Sequence, residues 1–318
     1  MAPAVATSVA PNGAPARSVR GRFRLNRLTL AKYRFCYLGL LPIFAIYWVL
    51  RLEPIGRTFY LSFHDWHLIR PNRPWVGLTN YRELLNDPNF LTALYNTTLF
   101  AVAVVVVSVV VGLALSVLLA GKVRFTAAYQ AIYFLPVITP MVPMAIAWKW
   151  IFDARIGILN YLLSWFGVTP VGWLTSPGVA IWSIIVMSVW KVLGYNMVLL
   201  LVGLKNIPAT LYEAAAIDGA FGWRMFRRIT LPLLRPILLF VIVVSTINAY
   251  NVFTQVYEMS QGSQAAPGAQ LRVLVFDIYQ NGFQFFKMGY ASAEAVVLTL
   301  IILALTLVQF RVIRVDEG

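Results

Sequence analysis

The sequence predicts an all-α membrane protein of about six transmembrane helices with both termini in the cytoplasm, and three observations carry that prediction. Of the 318 residues, 60% are hydrophobic and only 12% charged, about half the charged share of a soluble globular domain. Apolar runs recur at the length of a bilayer crossing. Between Leu99 and Ala120 only Ser108, Gly112 and Ser116 interrupt the apolar side chains, and a hydrocarbon core of about 30 Å takes about 20 helical residues to cross. The third observation is that Lys and Arg are shared unevenly among the loops, which fixes orientation in a membrane.

Taken in order, residues 1–35 are rich in Ala, Pro and Arg, lack hydrophobic periodicity, and predict a disordered basic tail. The apolar segment after them has no small-residue cleavage pattern and runs on to Pro54 and Tyr60, so the tail does not read as a signal peptide. A transmembrane domain over 36–311 holds spans at about 36–61, 91–120, 127–152, 179–204, 236–257 and 288–311, followed by a short tail at 312–318. In the first span Arg51 and Glu53 come early, so its outer end is expected to project past the interface. In the third, Pro136, Pro140 and Pro143 lie on one side, remove backbone donors and predict a kink.

The formal charge of +14 invites a nucleic-acid reading until the charges are located. On the face of the N-terminus lie Arg17, Arg20, Arg22, Arg24, Arg27, Lys32, Arg34, Lys122, Arg124, Lys205, Arg224, Arg227, Arg228, Arg235, Arg311 and Arg314, against Glu213, Asp218, Asp316 and Glu317. The opposite face sets eight basic residues against seven acidic ones and is nearly neutral. The asymmetry is that of a multi-pass protein with cytoplasmic termini. No nucleic-acid partner is implied.

Other chemistries lack their residues. No Gly-x-x-x-x-Gly-Lys-Ser/Thr loop is present, so ATP bound by that route needs a separate subunit. Cys36 stands alone, without a disulfide or metal-cluster partner. His64 and His67 flank Asp65 but lack further ligands for a metal set and read as loop residues. A polytopic membrane enzyme would need clustered acids or histidines, whereas the outer acids are scattered among as many bases. A stand-alone channel or ion-coupled carrier would leave the loop at 205–235 without a purpose.

That loop has its own architecture. Asn206 is a candidate N-cap, Pro208 suits a first turn, and Gly219 is placed to end a helix over about 208–218 in a left-handed conformation. A further helical turn or two at 222–229 leads to Pro232 and Pro236, where the fifth span begins. Composition alone allows an amphipathic helix held to anionic lipid by Arg224, Arg227 and Arg228. It also allows a docking surface, because Ala214, Ala215 and Ala216 admit close approach and Glu213 offers a charge.

The run Glu213-Ala214-Ala215, Asp218-Gly219-Ala220, Phe226, Ile229, Leu231-Pro232 and Pro236 resembles the cytoplasmic loop of binding-protein-dependent ABC importer permeases. The likeness is greatest to the carbohydrate branch, which includes the maltose and glycerol-3-phosphate permeases. It extends over nearly the whole chain from residue 36. Trp66, Val76-Gly77-Leu78, Asn80-Tyr81, Asp87-Pro88, Phe90, Ala93-Leu94 and Asn96-Thr97 are similar to the external loop and second span of that branch. So are Trp190-Lys191, Gly194-Tyr195-Asn196, Phe285-Phe286 and the run Met288 to Ala293. The turn at 260–268 departs from the glycine-rich, proline-ended turn of many relatives.

The resemblance implies a type I importer permease in the bacterial cytoplasmic membrane, working by alternating access. Its implied partners are a second, unlike permease subunit, two cytoplasmic ATPase subunits that bind ATP-Mg, and an extracytoplasmic solute-binding protein. No cofactor is implied for this chain itself. Glu213, Ala214, Ala215, Asp218, Gly219 and Ala220 would form the coupling helix that docks on an ATPase.

A solute path is sought among polar residues inside spans, which tend to face the bundle interior or a wet cavity. On the fifth span Ser245, Asn248, Asn251 or Val252, and Gln255 recur at helical spacing, with Tyr250, Thr254 and Tyr257 adjacent. Lys191, Tyr195 and Asn196 on the fourth span complete the candidate path. Amides and hydroxyls suit sugar hydroxyls and rings suit sugar faces; interhelical hydrogen bonding is the alternative use of the same groups. Lys191 and Glu294 are expected to neutralise each other inside the bundle, or else Lys191 snorkels while Glu294 faces an external cavity.

Overall fold

A computed structural model describes residues 27–70, 72–121, 123–176, 178–260 and 271–312. Residues 1–26 and 313–318 of the expected tails, and nearly all of the 260–268 turn, lie outside the described residues. Among these residues the regular structure is helical, with isolated bridges only between His64 and Trp75 and between His67 and Lys287. Among the described residues five helices are long and apolar enough to cross a membrane, and a sixth crossing is made if one bent pair counts as a span.

The chain divides into two units, Met1–Pro54 and Ile55–Gly318. In the first, α1 (Arg27–Tyr47) begins within the expected tail, so the last part of that basic stretch is helical, and it passes into a π-turn at Trp48–Leu52. Its large apolar side chains, from Phe35 to Leu50, stand exposed, as suits a helix solvated by lipid.

The remaining helices are α2 (Glu53–Leu61), α3 (Thr79–Asn86), α4 (Pro88–Ala120), α5 (Thr126–Ile138), α6 (Met141–Ile151), α7 (Ile158–Ser164), α8 (Ala180–Lys205), α9 (Ala209–Ile217), α10 (Gly222–Met225), α11 (Leu231–Tyr250), α12 (Thr254–Ser260), α13 (Leu274–Tyr279) and α14 (Met288–Val312). The start of α4 is written locally: Asp87 accepts from the Asn89 N–H at 2.8 Å and Pro88 occupies the first turn.

At the centre α4 packs along α8, where Gly112 lets the backbones meet at Asn196 and Met197, the small-residue packing usual between membrane helices. Helix α5 also packs on α8. A side chain at Gly194 would overlap the Tyr133 carbonyl. One apolar core gathers Phe90, Phe100, Ile184, Met187, Val256 and Leu274, and a second gathers Val109, Leu200, Leu234 and Val241.

Two breaks shape the interior. The expected kink in the third span is a bend of 99° between α5 and α6. A continuing helix would need the N–H of residue 140 for the Pro136 carbonyl and that of residue 143 for Thr139; both positions are proline and have none to give. The fifth span is longer than expected, since α10, a π-turn at Phe226–Thr230 and α11 form one run ahead of Tyr250. The chain then leaves the helix at Asn251–Phe253 and re-forms it as α12.

Candidate functional site

Between α4, α5, α8, α11 and α12 lies a cavity of about 390 Å³. Of the residues expected on the solute path, Lys191, Tyr195, Asn196, Ser245, Asn248, Asn251 and Gln255 line it, together with Thr254. Tyr250 does not. It is buried in the core, and its hydroxyl donates to Thr98 Oγ1 at 3.3 Å, because it lies on the face of α11 turned to α4. Phe100, Ser188 and Phe253 also line the cavity and were not expected; two are single residues in apolar runs, and Phe253 comes in through the break at Asn251–Phe253.

The polar groups divide into two uses. Asn196 is buried and ties three helices, donating through Nδ2 to Ser108 Oγ at 3.0 Å and accepting at Oδ1 from Ser245 Oγ at 3.2 Å. Asn248, Asn251 and Tyr195 are exposed to the cavity. Asn251 spends one donor on the Ile247 carbonyl at 2.7 Å and so caps the end of α11. The expected polar residues thus serve two uses, Asn196 of α8 as bundle glue and Asn248 and Asn251 of the fifth span as cavity lining.

Lys191 and Glu294 do not pair. The Lys191 ammonium donates to the carbonyls of Pro136 at 2.6 Å, Val137 at 3.3 Å and Thr139 at 2.5 Å, at the turn between α5 and α6. Glu294 is fully buried on α14 and accepts from Asn281 Nδ2 at 2.9 Å. The partners of each lie on elements the other does not touch, and the carbonyls freed by the prolines compete for the cation.

Glu294 belongs to a polar cluster at the start of α14. Asp277, 1% exposed, meets Arg272 at 3.2 Å, and Tyr290 donates to Asp87 Oδ2 at 2.8 Å. Burial raises the Asp277 carboxyl above the usual carboxylate range, against the opposing pull of Glu294's hydrogen bond and the Arg272 charge. The segment is anchored to α4 as well, with Asn96 Nδ2 donating to the Arg272 carbonyl and the Leu274 N–H to Thr97 Oγ1. Gly289 makes the seat possible, since a side chain there would overlap the His64 carbonyl. His64 itself is buried, with Nδ1 3.0 Å from the Tyr60 carbonyl.

The 205–235 loop presents α9, capped differently from expectation at one end and as expected at the other. Its N-cap is Pro208, without a side-chain bond; Asn206 instead ends α8, its N–H donating to carbonyls of the last turn. At the other end Gly219 has φ +76°, the Ala220 N–H donates to the Ala215 carbonyl at 2.9 Å and the Gly219 N–H to the Ala216 carbonyl at 3.0 Å. These two bonds are the Schellman pattern. Ala214, Ala215, Asp218 and Ala220 line a cleft of about 500 Å³ with Arg224, Arg228 and Pro232, while Glu213 and Gly219 are exposed beside it.

Residues 109–314 match the family described as binding-protein-dependent transport system inner membrane component. Over 289 residues the chain is 32% identical to the trehalose/maltose transport system permease protein MalF of Thermococcus litoralis, covering 91% of this chain and 97% of that protein. It is also 32% identical to the arabinooligosaccharides transport system permease protein AraP of Bacillus subtilis, covering 86% and 87%. In structure it is similar to a chain of a bacterial alginate ABC transporter in complex with alginate pentasaccharide-bound periplasmic protein, with a TM-score of 0.77 at 23% identity over 90% of this chain and 96% of that one.

Proposed function

The chain belongs to the family of binding-protein-dependent transport system inner membrane components, and on that premise we propose that it is one membrane subunit of an ATP-driven importer for a sugar-type solute. The observation that carries the solute class is the cavity: the exposed amide of Asn248 and the Oδ1 face of Asn251 beside the rings of Tyr195, Phe100 and Phe253. Amides exchange hydrogen bonds with hydroxyls, and rings pack on the apolar faces of a sugar. Relatives named for trehalose and maltose, for arabinooligosaccharides and for lactose support the same class.

In this reading both termini are cytoplasmic, in keeping with the basic excess on their face, and the protein sits in the bacterial inner membrane. An extracytoplasmic binding protein delivers solute to one side of the cavity. On the other side two ATPase subunits, which hold the ATP-Mg, grip α9. Closure of the ATPase dimer moves α9, and the π-turn and α11 that follow it carry the motion to the cavity wall at Ser245–Asn251. A second, unlike permease subunit completes the path. Glu213, Ala214, Ala215, Asp218, Gly219 and Ala220 form the docking surface.

The experiment is co-expression with the ATPase and affinity capture in detergent. Glu213→Ala, at an exposed position, is expected to lower ATPase recovery at least about tenfold, the effect of losing one charge-assisted contact at an interface centre, with yield of the permease unchanged. Recovery equal to the unmutated protein would overturn the docking role. Uptake of labelled disaccharides and oligosaccharides against labelled amino acids tests the solute class.

A further inference from the structure

We propose that Lys191 is a positioning residue whose ammonium replaces two backbone donors deleted by Pro140 and Pro143, and that it thereby fixes the near-right-angle turn forming one wall of the cavity. The carbonyl of residue i in an α-helix accepts from the N–H of residue i+4. For Pro136 that donor would be residue 140, and for Thr139 residue 143; proline supplies neither. The two shortest contacts of Lys191 Nζ are to these carbonyls, 2.6 Å to Pro136 and 2.5 Å to Thr139. The match between the missing donors and the ammonium's acceptors is one to one.

A second observation, independent of the lysine, brings it into reach. Gly194 lies three residues along α8, and any side chain there would overlap the Tyr133 carbonyl of α5. The close backbone approach at Gly194 carries the next turn of α5, with its unpaired carbonyls, over Lys191. Pro136 is buried, and a buried carbonyl at membrane depth needs a donor from the protein itself. An ammonium has three donors, and the third reaches the Val137 carbonyl at 3.3 Å. The charge is therefore spent on backbone dipoles, although Lys191 lines the cavity beside Val137 and Met141. Its effect on a solute is exerted through the wall's shape.

The test uses the full chain in membranes, with Cys36→Ser and a reporter, Ala145→Cys, on α6, where Ala145 is fully buried. Labelling by a membrane-permeant maleimide reads opening of the α5–α6 turn without reference to any solute. Lys191→Met is expected to speed labelling about tenfold or more, as local opening becomes easier, and Lys191→Arg to return it towards the starting rate. An unchanged rate in Lys191→Met overturns the proposal. If that variant does not accumulate, Lys191→Gln, with two donors on a shorter stem, is read the same way. In the assembled transporter Lys191→Met should lower maximal uptake and leave the half-saturating concentration within about twofold, the pattern of a group that does not bind ground-state solute. A raised half-saturating concentration at unchanged maximal rate would make Lys191 a solute ligand and overturn the positioning role.

Discussion

The 205–235 loop and the cavity are built by opposite means. The loop is contiguous: α9, its Schellman cap at Gly219 and the turn into α11 follow one another along the chain, and each residue's role depends on near neighbours. The cavity is assembled from α4, α5, α8, α11 and α12, and its walls exist because helices break at Thr139–Pro140 and Asn251–Phe253. An exposed loop can be encoded locally, whereas a cavity inside a bundle needs interruptions whose freed backbone groups are met from other helices.

Two glycines expose this difference most sharply. Gly194→Ala places a methyl group on the Tyr133 carbonyl, where backbone of two packed helices would have to part, so destabilisation of about 3 kcal/mol or more is expected. Gly219→Ala meets open space and costs only the left-handed backbone conformation at φ +76°, about 1 to 2 kcal/mol. Thermal unfolding in detergent should therefore rank Gly194→Ala far below Gly219→Ala. Equal midpoints would break the distinction between interior seat and surface cap.

Much of this could be read from the sequence because the signals were local. The spans follow from apolar runs, the end of α9 from Gly219, and the cavity-lining positions of Ser245 and Asn248 from their spacing. Tyr250 does not line the cavity because it lies on the face of α11 turned to α4; Asn251 and Gln255 still reach the cavity, through the break and not through periodicity. The Lys191–Glu294 pair was the natural guess for two opposite charges at membrane depth. It fails because charge counting ignores carbonyls, and Pro140 and Pro143 leave the Pro136 and Thr139 carbonyls unpaired within reach of the ammonium. The motif residues at 190–196 and 288–293 gained a physical reason only in three dimensions, as close-approach glycines and cross-helix bonds.

Within the cavity a pair of substitutions sharpens the division between lining and core. Asn248→Ala removes an amide exposed to the cavity and is expected to raise the half-saturating solute concentration by about fivefold to tenfold, the worth of one net hydrogen bond. Tyr250→Phe removes a hydroxyl that reaches only Thr98. It should leave that concentration unchanged and lower stability by about 0.6 kcal/mol, the average for an interhelical bond in a membrane protein. A larger affinity loss from Tyr250→Phe than from Asn248→Ala would return Tyr250 to the path.

The smallest expected effect belongs to the polar cluster at the start of α14, where it concerns a slope with pH. Asp277 is buried beside Glu294, with Arg272 at 3.2 Å. Burial raises its carboxyl above the unfolded value of 3.8, so between the two values the folded chain holds a proton that the unfolded chain has released. Stability from this group is fully present below the unfolded value and is lost as pH rises through the folded one, by at most about 1.4 kcal/mol per pH unit for one proton. Asp277→Asn carries no such proton. The slope of the unfolding midpoint between about pH 4 and pH 7, the range above a normal carboxylate, should flatten in this variant even if its overall level falls because Arg272 loses a partner. A slope that persists unchanged would assign the titration to another member of the cluster and leave the buried carboxyl of Asp277 without a measurable part in holding α13 to α14.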